Sequence, residues 1–130
     1  MKMILILLCL ITGALGAQES KVTPLMSKDL TECPGKEGAM ITVEYAPGGS
    51  DVIHRHNAHA FVYVLEGKVV MQVRGGKPLT LGPGQTFYEG PGDVHLVGRN
   101  ASGAESAKFL VFFVKDKGAP PVLPAKNRIC

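Results

Sequence analysis

The chain has 130 residues, 45 % hydrophobic and 19 % charged, with a formal net charge of +3. That composition suits one ordinary globular domain, and the charge is too small to argue for a nucleic-acid partner. No block of like charges and no basic stripe with interleaved aromatics occurs, which speaks against a polyanion-binding segment.

Lys2 is followed by "MILILLCLITGALGA", an apolar run of 15 residues ending in small ones. It is too short and wrongly flanked for a membrane span, but it has the charged, apolar and small-residue parts of a secretory signal. Residues 1–17 therefore read as a signal peptide cut near Gly16 or Ala17, rather than as a buried N-terminal helix. The expectation is a secreted or periplasmic protein, free of the membrane after cleavage. No small residue stands just before Cys9, so no lipoprotein anchor is read. Losing Lys2 lowers the net charge from +3 to +2. Cys33 and Cys130 remain, in a compartment that permits oxidation. A bridge between them closes a long loop, worth about 4–5 kcal/mol in the chain-entropy picture. Two free or intermolecular thiols are the alternative.

Residues 18–38 are polar, with Pro24 and "CPGKEG", and read as an N-terminal arm. From Ala39 the pattern is strand, turn, strand. "MITVEYA" alternates, with Ile41, Val43 and Tyr45 on one face. "FVYVLE" and "KVVMQV" flank a tight "EGK" and predict a hairpin. "RGGKP" and "LGPGQ" are further turns, followed by the short strands "TFYE" and "VHLVGR". "NASGAES" is a loop and "KFLVFFVK" a last buried strand. Residues 116–130, with three prolines, read as an extended tail. No convincing helical period occurs, so residues 39–115 are expected to form one all-β barrel or sandwich. "FVYVL" and "FLVFFV" are apolar on both faces, whereas a strand with one face in water should alternate. A second subunit is the simplest cover, giving a homodimer; the arm or the tail is the other.

All four histidines, His54, His56, His59 and His95, fall within this region. The spacing of His54 and His56 puts both rings on one face of a strand, where they can share a cation, and turns Arg55 away. His95, on a later strand, lies opposite in a closed barrel.

These residues resemble the cupins, small β-barrels of jelly-roll type. Their first motif is a glycine, five residues, His-x-His, three or four residues, a glutamate, six residues and a glycine. Gly48, His54, His56 and Gly67 follow that register. The second motif is a glycine, five residues, Pro-x-Gly, two residues, His, three residues and Asn; Gly84, Gly92 and His95 follow it. The resemblance spans Ala39 to Val114 and points to small single-domain cupins of the quercetin-dioxygenase-like kind. It implies a metal inside the barrel, with His54, His56 and His95 as ligands.

The departures are specific. The glutamate position holds Ala60, or Phe61 with the longer spacing. Gly90 stands at the motif proline, with Pro91 one residue later, and Asn100 is one residue too far from His95. His59 can fill the vacant place only if the "NAH" turn brings it inward; otherwise it is a rim or solvated residue. Glu89, just before "GPG", can reach inward or end its strand in solvent. The expectation is that water or substrate takes the open positions.

Three imidazoles leave a divalent ion its full +2 charge, a strong Lewis acid for an anionic, chelating substrate. They suit Fe, Ni, Cu, Co or Zn better than Mg or Ca. Cys33 reads as structural, and no nucleophile elbow or phosphate-cradling loop competes. Three-histidine cupins resemble thiol and diketone dioxygenases. The leading reading is thus a secreted, dioxygenase-like oxidoreductase acting on a small molecule. A non-catalytic metal- or ligand-binding module is the alternative, and a metal-independent sugar-binding or isomerase-like cupin a third.

Overall fold

The computed structural model describes residues 20–125. The signal segment 1–17 and Cys130 lie outside the described residues, and Cys33 is exposed. Ten strands follow in order: β1 Lys21–Asp29, β2 Lys36–Tyr45, β3 His54–Arg55, β4 Ala58–Glu66, β5 Val69–Val73, β6 Leu79–Leu81, β7 Thr86–Glu89, β8 Val94–Asn100, β9 Ala107–Asp116 and β10 Leu123–Pro124. No helix occurs among the described residues. The strands form two five-stranded antiparallel sheets, ordered β1-β2-β9-β4-β7 and β10-β3-β8-β5-β6.

Alternation decides which side chains face the space between the sheets. On β4, Ala58, Ala60, Val62 and Val64 are buried while His59, Phe61, Tyr63 and Leu65 are exposed. On β9, Ala107, Phe109, Val111 and Phe113 point inward. With Ile41, Val43 and Tyr45 of β2 and Val69 and Met71 of β5 they make one apolar core.

Two expectations are corrected. "FVYVLE" and "KVVMQV" do not pair: β4 bonds to β7 and β9, and β5 to β6 and β8. The "EGK" turn is a corner that carries the chain from one sheet to the other. Its glycine is required, because Gly67 has φ 68° and a Cβ there would lie 2.5 Å from the Ser106 carbonyl oxygen. The arm, in which no strand was expected, contains β1, which pairs with β2 along the sheet edge. Pro24 misled the reading; it is tolerated because the strand is an edge, and the register shifts just after it. Neither β1 nor β10 crosses the outer face of β4 and β9, since each extends the edge of a sheet.

A second register shift bears on the site. Gln72 pairs with Val97 and Val73 with His95, so Leu96 is an extra residue in β8. His95 and Asn100, five apart, would face opposite ways on a regular strand, yet both are buried. The bulge explains why Asn100 sits one residue late in the motif. Its amide donates to the carbonyls of Tyr45, Ala46 and Glu105, tying the end of β2 to the loop between β8 and β9.

Candidate metal centre

His54 and His95 are direct partners across the β3–β8 ladder, and their rings stack with centroids 4.8 Å apart. His56, one residue past β3, turns to the same side, its ring 4.8 Å from that of His54 and packed on Phe113. All three are buried, and one nitrogen from each falls within 4.8 Å of the others. His59 does not join them. Exposed on the opposite face of β4, it bonds through Nδ1 to the Tyr88 hydroxyl at 2.6 Å.

The residue that does join them is Glu89, at the end of β7. It is 2 % exposed, with one carboxylate oxygen 3.0 Å from His56 Nε2 and the other in contact with His95 Nδ1. The open position expected beside the three histidines is therefore occupied by a carboxylate. Sequence offered only the inward or outward parity of this strand end, which is why Glu89 was one option among several.

The protonation states follow from the hydrogen bonds. His54 Nδ1 donates to the Val52 carbonyl at 2.8 Å, and His56 Nδ1 to the Pro121 carbonyl at 2.6 Å. A carbonyl can only accept, so each Nδ1 carries a proton, and a ring in its neutral form presents a bare Nε2. Those two Nε2 atoms lie 3.2 Å apart. Two ring nitrogens that close, with a carboxylate beside them, can share a proton or a metal ion. Glu89 Oε1 and His95 Nδ1 face one another, and His95 Nε2 is buried without a hydrogen-bond partner. Buried polar groups need partners, and three imidazoles gathered this closely fit a divalent transition metal.

The surroundings push the two rings in opposite directions. Burial pushes His54 down toward its neutral form. Burial alone would lower His56 as well, but its bonds to Glu89 and the Pro121 carbonyl outweigh that and raise it. Burial opposes the ionised form of Glu89, yet His56 and His95 hold its carboxyl down at about 2.

The cluster opens onto a cavity of about 520 Å³ whose walls include Ile41, Val43, Val62, Met71, Phe109 and Val111. Ser20, Val22, Pro121 and Val122 also line it, so both chain ends contribute to the pocket. Asp51 adds a carboxylate, which accepts from Tyr45 Oη at 2.5 Å and Ser20 Oγ at 2.6 Å. Gly98 leaves room for this convergence, because a Cβ there would lie 2.8 Å from both His95 Nε2 and Tyr45 Oη. None of Ser20, Asp51, Tyr45 or Pro121 carried a sequence signal for the site.

Solved structures share this architecture. An uncharacterized conserved protein with a double-stranded β-helix domain from Klebsiella pneumoniae matches with TM-score 0.64 at 19 % identity, over 86 % of this chain and 89 % of that one. The polyketide cyclase RemF from Streptomyces resistomycificus matches with TM-score 0.63 at 26 % identity, over 85 % and 74 %. The DMSP lyase DddQ from Ruegeria pomeroyi matches with TM-score 0.60 at 23 % identity, over 68 % of this chain but only 43 % of its own length. No curated protein matches the sequence. Residues 41–113 match the cupin domain, more than half of the chain, and the histidine cluster lies within them. The chain belongs to the cupin family.

Proposed function

We propose that this cupin is an exported, metal-dependent oxidoreductase of dioxygenase type acting on a small organic molecule. The observation that carries the reading is the convergence of three buried histidines on one end of an apolar cavity. Such pockets, with a few placed polar groups on apolar walls, suit small ligands. A divalent transition metal held there supplies Lewis acidity and, for a redox-active ion, a path for electrons. The chain's own residues do the rest. The carbonyls of Val52 and Pro121 hold the imidazoles in the ligating tautomer, and the aliphatic wall excludes water and orients the substrate.

The similar proteins named a lyase and a cyclase support a small-molecule substrate more than any one reaction. The test is metal content followed by oxygen uptake. Chains loaded with Fe, Ni or Zn should hold about one ion each, and His54→Ala or His95→Ala should lose it. Oxygen consumption with thiols, diketones or flavonols then supports the oxidoreductase. A metal-loaded protein silent across that panel is a binding module instead, and a chain that takes up no metal sinks both.

Export rests on residues 1–17, and mass measurement of the protein made by secreting cells should show their removal. The partner of the uncovered outer face is a second copy of the chain. Phe61, Tyr63, Leu65 and Tyr88 are exposed there and form one apolar strip across β4 and β7, which neither terminal strand covers.

A further inference from the structure

We infer that Glu89 is a ligand of the metal centre, standing across the β4–β7 ladder in the place that the cupin motif gives to a glutamate at position 60. This rests on the metal-binding reading above and goes beyond it in naming the fourth donor and the net charge of the site.

Three observations carry the assignment. Of the two positions where the motif would place its carboxylate, Ala60 is 1 % exposed and faces the cavity, whereas Phe61 is 48 % exposed and faces out. The inward slot is therefore at Ala60. Ala60 and Glu89 are direct partners in the antiparallel ladder. Side chains of opposed residues leave the same face with Cβ atoms about 4.5–5.5 Å apart, so a carboxylate reaches one point from either strand. Glu89 also meets His56 at Nε2, the nitrogen free to ligate, because Nδ1 is committed to the Pro121 carbonyl. A carboxylate and an imidazole nitrogen 3.0 Å apart are joined either by a proton on Nε2 or by a metal ion that both ligate. Among the described residues the cavity wall carries no lysine or arginine to serve.

The assignment also explains the alanine. With Glu89 in place, a second glutamate at the opposed position would set two carboxylates against each other in a buried site, which like charges resist. A small residue at position 60 is the complement of an acidic one at position 89. One carboxylate lowers the charge of the loaded centre from +2 to +1. The ligand is then a neutral oxygen donor or a monoanion, rather than the strongly anionic chelator expected from three histidines alone.

The experiment compares wild type, Glu89→Gln, Glu89→Ala and the swap A60E/E89A. Metal per chain is measured after loading with Ni or Co, affinity by competition with a chelator, and donor type by the visible spectrum of the Co form. Circular dichroism checks the fold, and Glu89→Gln keeps the side-chain volume should the alanine variant unfold. Wild type should hold about one ion. Both single variants should bind at least about 100-fold more weakly with a changed Co spectrum, since even outer partners of a ligand are worth 10–100-fold. The swap should recover affinity to within about tenfold. Folded single variants with wild-type affinity and spectrum would overturn the assignment while leaving the histidine centre standing. A wild-type chain that binds no metal would remove the centre itself.

Discussion

The Pro121 carbonyl, in the tail of the chain, accepts the Nδ1 proton of His56 across 65 residues of sequence. β10 pins this segment to β3, placing Leu123 opposite Arg55 and Pro124 opposite His54. The tail thus fixes the Nδ1 proton and the orientation of one of the three clustered histidines. Ending the chain after Ala119 should leave the barrel folded but weaken Ni or Zn binding about 10–100-fold, the usual effect of losing such a partner. Chelator competition reads this directly, and an unchanged affinity would show that the tail is only a cover.

Away from the site, the buried Lys115 ammonium pairs with Glu37, and also donates to the Ala119 carbonyl at 2.6 Å. The bonds from Lys115 and the Gly118 amide hold the Glu37 carboxyl below its ordinary value. A carboxyl depressed in the folded state contributes stability that is present above its unfolded value, about 4.3, and is lost as pH falls through the folded one. Thermal unfolding followed below about pH 4.3 should therefore show a steeper acid loss for wild type than for Glu37→Gln. Equal slopes would mean that the pair adds nothing.

Gly67 turns the corner between sheets with φ 68° and no room for a Cβ. Gly67→Ala meets both a left-handed backbone cost and a clash with the Ser106 carbonyl. We expect a loss of about 2–4 kcal/mol in urea unfolding. A loss under about 1 kcal/mol would show that the corner relaxes freely.

The outer strip gives a solution test. Phe61 packs against Tyr88 and Phe112 on this face, with ring centroids 5.2 and 6.2 Å away, yet is half exposed. A charge at its centre, in Phe61→Glu, should shift sedimentation from dimer to monomer and leave metal content unchanged. Wild-type protein that sediments as a monomer at high concentration would rule the pairing out.

The histidines were legible because alternation is local: His54 and His56 share a face whatever the rest of the chain does. The same locality made β2 readable from Ile41, Val43 and Tyr45, whereas β4 and β9 showed only as the apolar runs "FVYVLE" and "KFLVFFVK". What could not be read was pairing. Nothing between Glu66 and Lys68 says whether the chain doubles back in its own sheet or crosses to the other, and the hairpin expectation failed there. Glu89 was hidden for the same reason, because its neighbour Ala60 is set by the ladder register. The bland polar arm was missed as β1 because its partner, β2, supplies the order.

The extra residue at Leu96 suggests how such sites should be searched for. In a barrel, what a side chain can reach is set by the parity of its position and its neighbour across the ladder, and not by the number of intervening residues. Counted along the chain, this protein breaks its family's pattern twice, at Asn100 and at the absent glutamate. Written instead as inward-facing places on a grid of paired strands, the pattern is kept at both, Asn100 through the bulge and the carboxylate from the adjoining strand. A search in those coordinates would recover relatives whose acidic residue has crossed to the next strand and would stop scoring them as incomplete.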